Sequence, residues 1–209
     1  SILQSTIEIK KLIKRAVEMN CPAVALTDTG NMMAAFLFVK EILKHNETVE
    51  QEIAKAVEKG ESCDKKILIP IVGCEFNVCR DLSEKTNKDN GYQVVFLAKN
   101  KKGYHNLAKL ASYAYTSGFY YVPRIYRTII EQYKDDLIVL TGGLTGEVPS
   151  LILNVGENQA EESLLWWKEK FGEDLYIEIN RHGFEEENRV NETLLKFHQK
   201  HNIKIVAAN

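Results

Sequence analysis

At 209 residues, with 44% apolar and 27% charged side chains, the chain is long enough to bury a substantial core as one domain. Its formal charge of -2 supplies no global field that favours a polyanionic partner. No apolar run approaches the roughly 20 residues that a membrane span requires. Cys21, Cys63, Cys74 and Cys79 form no CxxC pair and no disulfide framework. With no signal segment at the start, a cytoplasmic location is expected. Because it opens on Ser1 inside an element, the chain reads as a piece of something longer.

Ser5, with Glu8 three residues on, makes a capping box for a first helix. Ile9, Leu12, Ile13, Ala16 and Val17 follow at helical spacing, and Asn20-Cys21-Pro22 ends the helix. Ala23–Thr27 reads as a short buried strand, turned at Asp28-Thr29-Gly30-Asn31 into a helix over Met32–His45. Ala35, Phe36, Phe38, Val39 and Ile42 supply the apolar side of that helix. Asn46–Lys66 is dense in Glu and Lys and interrupted by Gly60, so a charged insertion is expected, with an exposed helix over Val49–Lys59.

Ile67–Val78 is the most apolar predicted strand and contains Gly73-Cys74-Glu75. After a polar loop over Arg80–Gly91 come a strand at Tyr92–Ala98 and a helix over Lys101–Thr116. Tyr104, Leu107, Ala108, Ala111 and Tyr115 mark the expected buried side of that helix. An aromatic loop, Gly118–Arg124, leads to a short helix over Tyr126–Tyr133 and a strand over Leu137–Thr141. A brief helix at Val148–Leu153 precedes a longer one that places Ala160, Leu164, Trp167 and Phe171 on one side and stops at Gly172. A strand at Leu175–Ile179, a helix over Glu185–His201 and a strand at Ile203–Ala208 close the series. Strands alternating with helices imply an α/β fold with a mainly parallel sheet or barrel.

Polar side chains at strand ends are where such folds place chemistry. Asp28, Glu75 and His182 are the candidates, and carboxylates with imidazoles there could bind divalent metals for phosphoester hydrolysis. The other histidines, His45, His105, His198 and His201, fall on or beside helices, which leaves too few ligands for a two- or three-metal site. No GxGxxG, Walker, HExxH or GxSxG pattern is present. Gly142-Gly143-Leu144-Thr145-Gly146 is open to two readings, a phosphate cradle or a tight turn. Tyr120 and Arg124 in the aromatic loop either contact nucleic acid or a partner, or pin the loop to the domain. Trp167 has core spacing, whereas Trp166 covers an edge or a partner surface.

Several segments carry a family resemblance. Ala25–Met32 (ALTDTGNM) is similar to the second motif of PHP domains, the polymerase-and-histidinol-phosphatase fold, and Ile69–Phe76 (IPIVGCEF) to the third. Val95–Leu107, Gly118–Ile125, Gly142–Pro149, Asn188–Glu192 and Ile205–Asn209 resemble the PHP domains that open the alpha subunits of bacterial replicative DNA polymerases. The resemblance covers nearly the whole chain except Asn46–Lys66. It implies a distorted seven-unit β/α barrel of the TIM-like PHP type, here truncated at both ends, with a metal cluster at the strand ends. Active relatives bind Zn²⁺ or Mn²⁺ there. Of the ligand positions inside this chain, only Glu75 is unchanged. Thr29 stands where the second-motif His would be, Gln93 at a strand His, and Gly143 at a Cys. The first His-x-His would fall before Ser1 and the terminal Asp-x-His beyond Asn209.

Neutral oxygens coordinate weakly and Gly supplies no side chain, so the metal site is expected to be degenerate. Asp28 precedes the ligand position and is expected to orient the turn, while His182 has no ligand role. The resemblance therefore implies a structural and partner-binding role within a DNA-directed DNA polymerase. Mg²⁺ would serve the parent polymerase. Its expected partners are DNA, the rest of the alpha subunit, and the proofreading and clamp subunits, with no membrane. The alternatives are a metal-dependent phosphoesterase or 3′–5′ proofreading exonuclease, and a free-standing phosphatase of the histidinol-phosphatase kind.

Overall fold

The computed structural model describes residues 6–80 and 89–208. They group into two compact units, one of Ser1–Asp28 with Met32–Val72 and the other of Thr29–Asn31 with Gly73–Asn209. Ser5 and most of the Arg80–Gly91 loop lie outside the described residues. No helix among the described residues is long and apolar enough to cross a membrane.

In the first unit, α1 (Ile9–Glu18) and α2 (Ala35–Lys59) flank β1 (Ala23–Thr29). Ile13 and Ala16 of α1 pack with Phe38 and Ile42 of α2 and with Leu68. These are the residues that helical spacing places on facing stripes, although Phe36 lies outside the stripe and is 76% exposed. No seam appears at Asn46: α2 runs 25 residues without a break to Gly60, and Val49 is buried. The charged composition that suggested a separate exposed helix is the solvent side of one long helix.

Asn46 itself explains why a polar residue stands there. Its Nδ2 donates to the Leu68 carbonyl at 2.9 Å, and its Oδ1 accepts from the Leu68 N–H at 2.9 Å. That two-pronged bond fixes the chain just before β2 (Ile69–Cys79), whose Ile69 N–H donates to the Pro22 carbonyl. Replacing Asn46 by Ala strands both polar groups of Leu68, a residue only 1% exposed. Urea denaturation of N46A should register a loss of about 2 kcal/mol. A variant as stable as the parent would mean that something other than this bond sets the start of β2.

In the second unit the strand order is β4-β2-β3-β5-β6-β7, with β3 (Tyr92–Ala98), β4 (Arg124–Tyr126), β5 (Leu137–Leu140), β6 (Leu175–Ile179) and β7 (Lys204–Ala207). β4 runs parallel to β2, and β5, β6 and β7 run parallel to one another, while β3 is antiparallel to both its neighbours. The sheet is mainly parallel, as the alternation of elements implies.

Alternation along each strand separates two faces. Cys74, Phe76, Val78, Val94, Phe96, Leu137, Val139, Leu175 and Ile177 are buried on one of them. There the Phe96 ring meets Phe76, Trp167 and Phe171 at centroid distances of 5.8–6.0 Å. The opposite face carries the rungs Glu75–Val95–Leu140 and Asn77–Gln93. Helices α3 (Lys101–Thr116), α4 (Arg127–Tyr133), α5 (Glu147–Asn154), α6 (Glu157–Phe171) and α7 (Glu185–His201) complete the unit.

The buried side of α3 differs from the expected one. Leu107, Leu110 and Ala114, with Gly103 and Asn106, face inward, while Tyr104 and Tyr115 are 37% and 50% exposed. Tyrosine tolerates a rim position because its ring packs while its hydroxyl stays wet.

Candidate functional site

Glu75 stands between buried Cys74 and Phe76, so the strand period turns it to the face opposite the aromatic core. The turn Thr29–Asn31 closes on it. The Thr29 hydroxyl donates to Glu75 Oε1 at 2.9 Å, and the Gly30 N–H donates to the Glu75 carbonyl at 2.7 Å. Asn31 Nδ2 donates back to the Thr29 carbonyl at 3.1 Å and holds the turn. Asp28, in β1, is half-buried and belongs to the first unit.

Gln93, the second residue of β3, is tied to the glycine-rich loop. Its N–H donates to the Thr145 carbonyl at 3.0 Å, and its Oε1 accepts from the Thr145 hydroxyl at 2.5 Å. Gly142, at a φ of +77°, lies so close to Gln93 that a Cβ would stand 2.4 Å from its carbonyl oxygen. A Cβ on Gly143 would meet Asn180 Nδ2 at 2.6 Å, and the Gly146 N–H is already donated to the Gly143 carbonyl. Close packing thus accounts for glycine at these positions without a ligand.

Glu178 enters the same face from β6, where it pairs with Val206 and sits in a strand otherwise made of Leu, Tyr and Ile. It is 8% exposed. Its N–H donates to the Thr141 hydroxyl at 3.0 Å. Burial pushes its carboxyl above the ordinary range and the Glu75 charge adds to this, while Asn180 and His182 pull the other way. Glu178 Oε2 and Asn180 Oδ1 are buried without a hydrogen-bond partner. Reasoning from sequence missed both residues. The available signal was a lone carboxylate in an apolar strand, at the parity that shares a face with Glu75.

His182 follows Asn180 and is held by α7. Its Nδ1 lies 2.7 Å from Glu187 Oε1, and Glu187 Oε2 accepts from the N–H groups of His182, Gly183 and Phe184. Burial alone would raise the Glu187 carboxyl, but the His182 ring and the N–H groups of His182 and Phe184 outweigh it and hold it below its ordinary value. Among the described residues no three His, Cys, Asp or Glu side chains come together as a metal-holding group.

Arg124 is elsewhere and is 1% exposed. Its Nε donates to the Gly118 carbonyl at 3.3 Å, one terminal nitrogen donates to the Asp89 carbonyl at 2.9 Å, and its guanidinium lies 5.1 Å from the Tyr120 ring centre. A cation so enclosed has no surface to offer a base. Of the two readings open for Arg124, these contacts fit the second, a loop pinned to the domain. Trp166 is covered by the Arg127 guanidinium at 4.2 Å.

The raised acid of Glu178 has a pH consequence. A group whose pKa is higher folded than unfolded contributes stability below its unfolded pKa, which is lost as pH rises through the folded value. In chelator-treated buffer, Glu178→Gln should therefore melt higher than the parent at neutral pH, with the gap closing towards pH 4. Equal melting curves at both ends would contradict the burial seen here.

Comparison with known proteins supplies the context for these residues. The PHP domain family matches residues 1–182. DNA polymerase III subunit alpha of Borreliella burgdorferi is 33% identical over 213 residues, which cover 100% of this chain and 17% of that protein. The protein of the same description from Chlamydia trachomatis serovar D is 37% identical over 191 residues, 90% of this chain and 14% of that protein. The one from Aquifex aeolicus is 32% identical over 217 residues, 99% and 17% respectively. The chain thus spans 14–17% of the length of these relatives.

Proposed function

The chain belongs to the PHP domain family, and from that premise we propose that it is the PHP domain of a bacterial DNA polymerase III alpha subunit. The observation that carries this reading is the similarity to such subunits along essentially the whole of this chain. On this reading the chain takes part in chromosome replication as one part of a DNA-directed DNA polymerase. The nucleotidyl transfer itself, with its Mg²⁺, resides elsewhere in the parent protein. DNA and the rest of the alpha subunit are its partners, together with the proofreading and clamp subunits.

Its own role is structural, because the residues at the ligand positions do not fit a Zn²⁺ or Mn²⁺ cluster. Thr29 uses its hydroxyl to hydrogen-bond Glu75, and Gln93 uses its amide oxygen to accept from Thr145. The space where a side chain at Gly143 would start is filled by the Asn180 amide. Polar groups that satisfy one another leave a folded site without a metal, and Asp28 serves the turn that carries Thr29. Phosphoesterase or 3′–5′ exonuclease chemistry would need ligands that these positions lack.

The test is a count of bound metal. After loading with Zn²⁺ or Mn²⁺ and exhaustive dialysis, elemental analysis should find less than one ion per chain. The dialysed chain should leave both a phosphodiester ester and primer-template DNA uncut. Two or more retained ions with metal-dependent cleavage would replace this reading with the hydrolytic one.

A further inference from the structure

None of the chain's 29 Asp and Glu residues falls between Asn90 and Ile130, although the chain as a whole is slightly acidic. That stretch supplies β3, α3, β4 and the start of α4. A groove of about 990 Å³ runs beside α3, with Tyr133 of α4 in its wall. Lys101, Lys102, His105 and Lys109 line it, and among its described lining residues there is no carboxylate. By contrast, the groove between α1 and α2 is lined by Glu18 and Glu41 as well as by lysines. Lys101, His105 and Lys109 recur at every fourth residue of α3 and are exposed. They therefore form one stripe, with a basic group about every 6 Å along the helix. Lys102 is the only one of the four in an ion pair among the described residues, with Asp135 at 3.8 Å and Asp136 at 3.2 Å. Ala108 and Tyr113, both half-buried, give the groove a less polar floor.

The occupant that fits such a groove carries negative charge in a narrow line. A single-stranded nucleic acid would add bases, and these need an open aromatic face on which to stack. Here the Tyr133 ring is already covered by the Lys109 ammonium, 5.2 Å from its centre. The stripe is also narrow, since Asp135 and Asp136 adjoin it at Lys102, and a phosphate backbone would meet their charge. An acidic peptide needs only carboxylates at the spacing of the stripe and apolar side chains for the floor. We propose that the α3 groove docks an acidic peptide segment of a partner subunit. Carboxylates about 6 Å apart on that segment meet Lys101, His105 and Lys109 in turn, and its apolar side chains cover Ala108 and Tyr113. The inference rests on the proposed function in one respect, that the chain works through partners.

The probe is a fluorescein-labelled peptide of glutamate and leucine, with glutamate at every fourth position. Titrating the chain into it at low salt should raise its anisotropy saturably, and added NaCl should reverse the rise. The same peptide with glutamine for every glutamate should not bind. Lys101→Glu should weaken binding severalfold, and K101E with K109E at least tenfold. Lys196→Glu makes the same change of charge at an exposed position on α7 and should leave binding unchanged. A carboxylate at position 101 lies in the first turn of α3, where a helix favours negative charge. K101E should therefore melt no lower than the parent, which shows that its effect is on binding and not on folding.

An oligothymidylate of matching length, labelled in the same way, should bind more weakly than the peptide. Absence of saturable peptide binding, or equal binding by parent and the double variant, would overturn the proposal. Capture of the oligothymidylate at least as tightly as the peptide would overturn it in favour of a nucleic-acid surface. Each of these results leaves the structural reading of the chain intact, since that reading fails on ions that survive dialysis and on cleavage.

Discussion

Glu147→Ala should destabilise the chain by about 3–5 kcal/mol, the cost of breaking a buried charged pair from one side. Glu147 is 4% exposed in the first turn of α5, where the helix N-terminus favours its charge. One oxygen accepts from an Arg127 terminal nitrogen at 2.9 Å and the other from Trp167 Nε1 at 2.9 Å. Three elements meet at that carboxylate: α4 through Arg127, α5, and α6 through Trp167, whose ring also packs on Phe96 and Phe171. With Ala at 147, the Trp167 N–H is left buried without an acceptor. Arg127 keeps only the Ser163 hydroxyl at 3.3 Å and its stack on Trp166.

Glu147→Gln retains an acceptor for Trp167 and should lose about half as much. Arg127→Met added to E147A should cost little beyond E147A alone, because the pair acts as a unit. Urea denaturation followed by tryptophan fluorescence reads all of these variants. A loss under 1 kcal/mol for E147A would mean that the carboxylate is not the junction of these helices.

The reach of sequence reasoning can be judged from single residues. Glu75, which sequence reading singles out as a carboxylate in an apolar strand, faces away from buried Cys74 and Phe76 and is bonded to the turn that family resemblance also picks out. Facing stripes predict Ile13, Phe38 and Ile42. Counting apolar residues fails where the buried position is not apolar. Gly103 lies inside α3's packed face because its backbone approaches Asp136, so that a Cβ would stand 2.2 Å from the Asp136 carbonyl oxygen. Asn106 joins it there by donating to the Asp135 carbonyl.

Asn46 is the same case in α2, a polar residue whose partners are a distant backbone. Glu178 escapes for a related reason. Motif comparison directs attention to positions where ligands are known, and a carboxylate at another position on the same face attracts none. Polar residues buried for a long-range bond leave no periodic trace, and they are the ones the folded chain reveals.

Arg124→Ala is the second large effect, expected at about 4 kcal/mol, or roughly 10 °C in melting temperature for a chain of this size. The substitution empties the volume of one of the largest fully buried side chains. It also removes the donors from the Gly118 and Asp89 carbonyls. Lysine cannot replace it, since one ammonium does not reach both carbonyls in the planar fork of a guanidinium, and R124K should recover less than half of the loss.

Gly118 bears on the other side of the same pin. Its backbone lies so near the Arg124 carbonyl oxygen that an added Cβ would come within 1.8 Å, and G118A should melt early for the same reason. If the loop works as a unit, the two losses combine to less than their sum. The contrasting idea, a loop that offers Arg124 to nucleic acid, predicts the reverse: normal melting for R124A with weakened, salt-dependent DNA binding. Scanning calorimetry and a DNA titration on the same preparation separate the two. The burial of the guanidinium favours the first outcome, because a cation enclosed by its own loop must break that loop to reach a phosphate.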